Sequence, residues 1–378
     1  MSDARERLPR LREQIAQGLE EEGIDALVTL SPENVFYTSD IYLVSHRWLP
    51  LRLVMTVFHR QGEPTHLICD IHEPFVRAQD GWIKDIRPYV EFVMSPIRLL
   101  ADLLEEKGLH AKRVWIEKQH LTAAYDEELQ TYLPGCEFID CTPFMDRLRM
   151  VKTDGEVSLL QENVRLLERA LLETYRTTRP GDTERDVAAR AICEFAKVGY
   201  DALDLLTLTS GKTVHTNFKP SDRRLEVGDM LRIDWVGTRH GYRGDVSRHA
   251  VLGEPSRAQV DAYRRFIEAQ NSLVDKVRIG VRACDLYDRC RREFANAGLT
   301  MNLPHIGHGL GVGLHEHPAI SPTSEEVLVP GMVFCIEPLG VDPEVGGFAQ
   351  EVLIHLTEQG PRLLSDYTDL ANMYVIEA

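Results

Sequence analysis

The chain has 378 residues, of which 43% are hydrophobic and 27% are charged, as in an ordinary globular protein. This length exceeds that of a usual single hydrophobic core, so we expect two domains. The net charge of −16 argues against nucleic-acid or anionic-membrane partners, because binding to phosphates requires clustered Lys and Arg.

The N-terminus is polar and lacks the apolar core of a secretory signal, and no stretch reaches the length of a membrane span. We therefore expect a cytoplasmic protein. The seven cysteines are odd in number and none forms a CxxC pair. This pattern favours reduced thiols over a disulfide framework or a structural zinc site.

The first 150 residues alternate helix and strand signals. Leucines at helical spacing predict an amphipathic helix over 3–22, and the apolar run 25–30 predicts a buried strand. The strand-like runs 52–59 and 65–70 flank the turn signal RQGEP and predict a hairpin. A helical pattern over 95–109, followed by the strand-like RVWIEK, completes the signature of an α/β domain.

The pattern changes near residue 150, and we place the domain boundary at about 152. Two long helical patterns lie between Thr153 and Lys197, separated by the breaker RPGD. Strand-like runs follow, then a helix from about Arg257 to Val277 and another after Gly280. An N-terminal domain of residues 1–152 is thus expected before an α+β domain of residues 153–378 with an internal repeat.

Two segments of the second domain look like copies of each other. The run LEVGDMLRIDWVG ends at Gly237, and LVPGMVFCIEPLG ends at Gly340, at a constant offset of 103 residues. Asp234 in the first copy corresponds to Glu337 in the second. A carboxylate that closes an apolar strand is costly to bury unless positive charge compensates it. The duplication therefore suggests one charged site shared by two pseudo-repeats.

Each copy has a second acid downstream. The glycines between Asp234 and Asp245 predict a hairpin in which the two carboxylates face each other across antiparallel strands. The same construction joins Glu337 to Glu351. His308 lies in the glycine-rich run HIGHGLGVG, where backbone and ligand can approach closely.

Four carboxylates and one imidazole nearly balance two divalent cations and a bridging hydroxide. Oxygen-rich ligation with a single histidine favours Mn²⁺, with Co²⁺, Fe²⁺ or Zn²⁺ as alternatives. Such a pair of ions can lower the pKa of a bridging water and polarise a carbonyl group. Asp245 alone could instead pair with Arg243 or Arg248, but an ion pair does not explain the repeated arrangement. Cys335, two residues before Glu337, either borders the site or fills space.

These segments resemble the signatures of the pita-bread metallohydrolases, a family that includes prolidase, aminopeptidase P, methionine aminopeptidase and creatinase. GDMLRIDWVGTRHGYRGDVSRH is similar to the first metal-binding signature, GHGLGVGLHEHP to the histidine signature, and PGMVFCIEPLG to the first glutamate signature. NVFYTSDI and RLRMVKTDGE fit the two-domain, Xaa-Pro dipeptidase-like members. The resemblance implies a pita-bread catalytic domain and a homodimer.

The resemblance also implies a role for each ligand. Asp234 would bind one metal through both oxygens, Asp245 and Glu351 would bridge two metals, and His308 and Glu337 would complete the second metal's shell. Glu337 would in addition help to activate the bridging water.

Two histidines are implied to act on the substrate. His315 would hydrogen-bond the scissile carbonyl or the developing oxyanion, and His215 would contact the substrate near the leaving group. His305, His317 and His240 have weaker claims, with His240 expected at a hairpin tip.

The sequence departs from the family beside the last ligand and around His215. Ala349 and Val352 stand where prolidase-like enzymes carry Arg and Asp, and VHTN replaces the frequent Pro-His-Gly. The leading hypothesis is an Xaa-Pro dipeptidase or aminopeptidase-like hydrolase that attacks an amide with a metal-bridging hydroxide. The alternative is a hydrolase or lyase acting on a small amide, another C–N compound or an osmolyte. A catalytically silent binding protein is disfavoured by the intact set of five ligands.

Overall fold

The computed structural model describes residues 3–60, 62–212 and 218–378. The chain divides into two compact units, Met1–Leu148 and Arg149–Ala378. The sequence interpretation places this division at about residue 152. Among the described residues, no helix combines the length and the apolar character needed to cross a membrane.

The first unit is a mixed sheet with helices. Its elements are α1 (Arg7–Glu21), β1 (Ala26–Thr29), α2 (Pro32–Ser39), α3 (Val44–Trp48), β2 (Met55–His59), β3 (Thr65–Cys69), α4 (Glu73–Ala78), β4 (Asp85–Tyr89), α5 (Pro96–Glu106), β5 (Arg113–Ile116), α6 (Ala123–Tyr132), β6 (Glu137–Asp140) and α7 (Thr142–Met150). The six strands lie in the order β4-β3-β2-β1-β5-β6.

The predicted elements of this unit are confirmed. The helix expected over 3–22 is α1 preceded by a short 3₁₀ turn, Asp3–Glu6. The predicted hairpin is the antiparallel pair β2–β3, in which Met55 lies opposite Leu67. Strand β1 is buried along its whole length, because it lies in the middle of the sheet between antiparallel β2 and parallel β5.

The second unit contains four helices and twelve strands among its described residues. They are α8 (Asp154–Thr177), α9 (Glu184–Lys197), β7 (Ala202–Ser210), β8 (Met230–Arg239), β9 (Tyr242–Leu252), α10 (Arg257–Val274), α11 (Ala283–Asn296), β10 (Thr300–Met301), β11 (His308–Gly309), β12 (Glu316–Ala319), β13 (Val333–Ile336), β14 (Leu339–Asp342), β15 (Gly346–Ala349), β16 (Val352–Thr357), β17 (Gly360–Leu363) and β18 (Tyr374–Ile376). The strand orders are β18-β9-β8-β7, β12-β11-β13-β16-β17 and β10-β14-β15.

The internal repeat extends to the helices. Capping boxes begin α8 at Thr153 and α10 at Ser256, and these two residues are separated by the same 103 positions as Asp234 and Glu337. A third capping box, at Thr183, begins α9. Helix α10 ends at Val274, three residues before the predicted end at Val277. Each half of the unit therefore presents a helix pair and then the strands that carry its acids.

The duplicated glycines, Gly237 and Gly340, let a helix approach the sheet. A Cβ atom at Gly340 would lie 2.7 Å from the ring of Phe294 on α11 and 3.1 Å from Phe266 on α10. A Cβ atom at Gly237 would overlap Phe195 on α9 and lie 2.6 Å from the ring of Tyr200. The repeat thus keeps glycine where an aromatic ring packs directly on the strand backbone.

Replacing Gly340 by Ala is expected to lower the free energy of unfolding by about 1–3 kcal/mol, because the added methyl group overpacks a site with no free volume. Denaturant unfolding followed by circular dichroism measures this change. Gly135→Ala is the matched control, since its Cβ would come no closer than 3.4 Å to any atom outside its chain neighbours. Equal effects of the two substitutions would contradict the packing role.

Candidate metal centre

The first two acids lie on the hairpin β8–β9. Its turn is only His240-Gly241, and both residues have positive φ angles (52° and 78°), which suits a two-residue hairpin turn. His240 is thus at the tip, as predicted. Asp234 pairs with Ser247, and Asp245 pairs with Val236. The predicted hairpin is confirmed, and the two acids lie on one face of its antiparallel strands; the tight turn fixes a register in which they are diagonal neighbours and not a directly paired couple.

The other two acids occupy a break in a second hairpin. The ladder of β13 and β16 ends at the pair Ile336–Val352, and the ladder of β14 and β15 resumes at Leu339–Ala349 in the same register. Glu337 and Glu351 lie in this gap. The amide of Glu337 donates to Ile306 O (2.8 Å), and the amide of Glu351 donates to Ser247 O (3.3 Å). The second acidic hairpin is therefore tied by its backbone to β9 of the first.

A buried glutamine that sequence reasoning missed supports this break. Gln270 on α10 donates Nε2 hydrogen bonds to Gln350 O (2.6 Å) and Ile336 O (3.2 Å), the carbonyls that precede the two acids. Tyr263 donates its hydroxyl to Gln350 Oε1 (2.7 Å). The available signal was a glutamine on the buried face of an amphipathic helix, where the same position in the first repeat is Leu167.

His308 lies against the acids from both hairpins. Its Nε2 is 3.3 Å from Glu337 Oε1 and 3.9 Å from Asp245 Oδ2, while Nδ1 is 3.1 Å from Gly309 O. A proton on Nδ1 would leave the Nε2 lone pair facing the carboxylates. Cys335 also borders this point, because its sulfur lies within 4.8 Å of ligand atoms of His308 and Glu337. Burial raises the pKa of the Cys335 thiol well above its usual value, so the thiol stays protonated.

The four acids cannot all be ionised without compensation. Burial raises the pKa of Glu351 to about 7, and the negative charge of Glu337 adds to the effect. Burial, followed by repulsion from Glu351 and Asp234, raises the pKa of Asp245 well above its usual range. Burial also raises the pKa of Asp234, against the opposing charge of Arg232. The cluster therefore has a strong demand for positive charge at neutral pH.

The donor set fits divalent cations. Both carboxylate oxygens of Glu351 are buried and have no hydrogen-bond donor among the described residues. Leaving a carboxylate in that state is costly, and a cation is the partner that removes the cost without further donors. Carboxylate oxygens with one imidazole are ligands suited to Mn²⁺ and similar ions.

His315 extends the cluster. Its ring stacks on that of His308 with centroids 3.9 Å apart, and His305 lies 5.8 Å from it. Burial, aided by the neighbouring His308, lowers the pKa of His315 to about 4, so its imidazole is neutral at pH 7. His317 instead approaches Glu326, with Nδ1 2.5 Å from Oε1. His215 lies outside the described residues.

The loop before His315 is held by buried polar contacts. Glu316 accepts from Lys152 Nζ (2.8 Å) and from the Gly313 amide (2.8 Å). A Cβ atom at Gly307 would collide with the carbonyl oxygen of Cys335, which explains the first glycine of the predicted glycine-rich run. Close backbone packing thus brings His308 onto β13.

Comparison with protein families agrees with this arrangement. Residues 158–358 match the model of metallopeptidase family M24, and residues 8–151 match that of the creatinase/prolidase N-terminal domain. The chain belongs to metallopeptidase family M24. It is a metallohydrolase, and membership of M24 implies divalent metal ions. The predicted fold class, an α/β N-terminal domain before a repeated α+β catalytic domain, is confirmed.

Relatives within this family have named activities. The Xaa-Pro dipeptidase of Pyrococcus horikoshii is 29% identical over 65% of this chain and 71% of its own length. The structure of dipeptidase PepE from Mycobacterium ulcerans is 27% identical with a TM-score of 0.83, covering 97% of this chain and 96% of that one. The X-Pro aminopeptidase of Thermotoga maritima shares the fold, with a TM-score of 0.84 at 24% identity and coverage of 96% and 99%.

Replacing Gln270 by Leu is expected to lower the free energy of unfolding by about 1–3 kcal/mol, because two buried carbonyls lose their donor. Without these hydrogen bonds the backbone before Glu337 and Glu351 should be less rigid, so the affinity for Mn²⁺ should fall by about 10- to 100-fold. Calorimetric titration of the metal-free enzyme measures the affinity. Glu268→Leu, on the exposed face of the same helix, is the control. Unchanged Mn²⁺ affinity in the Gln270 variant would refute the supporting role.

Proposed function

We propose that this M24 enzyme hydrolyses the peptide bond of Xaa-Pro dipeptides at a centre of two divalent metal ions, preferentially Mn²⁺. The observation that carries the proposal is a cluster of four mutually repelling carboxylates, two of which lie within 4 Å of His308, with both oxygens of Glu351 buried and lacking donors among the described residues. Relatives named Xaa-Pro dipeptidase over most of this chain support the substrate class.

The proposed ligands are the five residues expected from the sequence. Asp234 would hold one ion, Asp245 and Glu351 would bridge, and His308 and Glu337 would complete the second site. Two divalent ions in such a site lower the pKa of a bound water and polarise a substrate carbonyl.

The chain's own residues would supply orientation and proton transfer. Glu337, whose Oε1 lies 3.3 Å from His308 Nε2, would take the proton of the attacking water. The neutral His315 can donate a hydrogen bond to the carbonyl oxygen as negative charge develops there, where stabilisation lowers the barrier. We assign His215 to the substrate near its leaving group, as the sequence predicts.

We further propose a cytoplasmic homodimer with an N-terminal domain of residues 1–152 and a catalytic domain of residues 153–378. The family-model matches at 8–151 and 158–358 support this division.

A second candidate is a non-peptidase hydrolase or lyase acting on a small C–N compound. The observation that favours it is the side chain of Ala349, which offers no charge or hydrogen bond beside Glu351 where the family resemblance expects arginine.

Metal-free enzyme is expected to be inactive and to recover cleavage of Xaa-Pro dipeptides on addition of Mn²⁺. Parallel assays of dipeptides, small amides and amidines by release of amine measure the outcome. Asp245→Asn should reduce the activity by at least about 100-fold because it removes an anionic ligand. Asp261→Asn, an exposed helix acid, is the charge-matched control. Bound metal with an intact dipeptide panel and turnover of an amidine would establish the second candidate.

His315→Ala is expected to lower kcat by about 10²- to 10³-fold with little change in KM, because the lost donor acts mainly on the transition state. Steady-state rates over Xaa-Pro dipeptide concentrations that range from below to above KM give kcat and KM separately. His240→Asn is the control, because it removes an exposed imidazole at the tip of the β8–β9 hairpin and asparagine tolerates the positive φ angle there. A rise in KM alone would contradict the role given to His315.

A further inference from the structure

A guanidinium lies on the wall of the candidate metal centre. Arg232 precedes Asp234 by two residues on β8, and the two-residue period of a strand puts both side chains on the same face. The Arg232 side chain is only 8% exposed. Burying a cation next to metal ligands reduces the attraction of the site for metal ions, so the arginine calls for an explanation beyond metal binding.

The guanidinium is held in a fixed orientation. Its Nη2 donates to Asp234 Oδ2 (2.6 Å), and its Nε donates to Ser247 Oγ (2.9 Å). Ser247 in turn donates its hydroxyl to Ala349 O (2.8 Å). The remaining terminal nitrogen, Nη1, makes no hydrogen bond to a described residue. Hydrogen bonds therefore fix one side of the Arg232 guanidinium, while Nη1 on the other side can still donate.

The neighbouring residue, Ala349, contributes no side-chain donor to this wall. Both backbone groups of Ala349 are occupied by β9: its amide donates to His249 Nε2 (2.8 Å), and its carbonyl accepts from Ser247. Ala349 ends in a methyl group that can neither pair with an anion nor compete with Arg232 for one.

Other buried cations of this unit already have anionic partners. Arg248 pairs with Glu168 and also donates to the carbonyl of Glu351. Lys152 pairs with Glu316. Each of these cations is bound to an acid outside the proposed ligand set, whereas Arg232 faces the set itself.

We propose that Arg232 binds the C-terminal carboxylate of the substrate and makes the enzyme selective for free dipeptide acids over dipeptide amides. The inference rests on the proposed dipeptidase function and adds the residue that recognises the negative charge of the substrate's C-terminus. Two hydrogen bonds already fix the Arg232 guanidinium, and its Nη1 remains free to donate. Such a group forms a charge-assisted hydrogen bond to a carboxylate with little further loss of side-chain conformational entropy. An amide in the same place offers no negative charge.

The competing explanation is that Arg232 serves only as a counter-ion for Asp234. In that case its loss would disturb the metal centre and would slow the hydrolysis of acids and amides equally. A carboxylate-binding residue instead changes the ratio of the two rates. Selectivity between acid and amide thus separates the two roles.

The first experiment compares Ala-Pro with Ala-Pro-amide as substrates of the Mn²⁺-loaded wild-type enzyme. We expect kcat/KM to be at least about tenfold higher for the acid, the value of one charge-assisted hydrogen bond. Arg232→Leu should lower kcat/KM for the acid by about 10- to 100-fold, mainly through KM, and for the amide by less than about threefold. The exposed Arg264→Leu on α10 is the matched control and should leave both rates unchanged.

A second measurement uses only the wild-type enzyme and therefore does not depend on the stability of a variant. Free proline should inhibit the wild-type enzyme at least about tenfold more strongly than prolinamide, because only proline presents a carboxylate.

Moving the guanidinium with the double substitution Arg232→Leu and Ala349→Arg should restore part of the preference for the acid. Such rescue is not expected of a residue that only neutralises Asp234.

Equal turnover of acid and amide by the wild-type enzyme would overturn the assignment of Arg232 and leave the dipeptidase proposal standing. An equal loss on both substrates in Arg232→Leu, together with reduced Mn²⁺ content, would also overturn it in favour of the counter-ion role. Failure of metal-loaded enzyme to cleave either substrate would refute the proposed function and, with it, the role of Arg232.

Discussion

The mutual repulsion of four buried carboxylates is the constraint on which the catalytic unit depends. The neighbours of the acids, among them Ile233, Trp235 and Ile336, are fully buried, and their removal from water favours the strand positions that force the acids together. The raised pKa values of Asp245 and Glu351 express the electrostatic cost of this arrangement. Positive charge from Arg232 and divalent ions offsets that cost, so folding and metal binding are thermodynamically linked.

Strand β9 joins the two halves of the unit at this point. The carbonyl of its Ser247 accepts from the Glu351 amide, and the Ser247 hydroxyl donates to the Ala349 carbonyl; Arg248, on the opposite face, donates to the Glu351 carbonyl. Gln270 performs a related task from α10 by binding the two carbonyls in the gap of the second hairpin. A broken ladder leaves backbone groups unpaired, and these side chains satisfy them while fixing the acids that follow. The interruption therefore positions ligands and does not weaken the fold.

The internal repeat also shows where the two halves have diverged. Arg232 and Cys335 occupy equivalent positions, two residues before Asp234 and Glu337. Both lie against the cluster, but one brings a permanent charge and the other a protonated thiol. The two repeats thus place their metal-ligand candidates at equivalent positions but differ in the side chain two residues earlier. Because only one of these two side chains is charged, the two sides of the site differ electrostatically, and such a difference can distinguish the two ends of a substrate.

The sequence by itself determined the fold class, the repeat, and the four acids and one histidine that converge, because apolar periodicity and an offset of 103 residues are properties of the chain. It also located the hairpin tip at His240. It placed Asp234 and Asp245 facing each other across two antiparallel strands, and the register set by the two-residue turn makes them diagonal neighbours on one face. The parts played by Gln270 and Arg232 could not be read from spacing, since each depends on contacts with strands distant in sequence. Only the tertiary structure decided which polar groups meet, because burial leaves a polar side chain with whichever partner the packing provides.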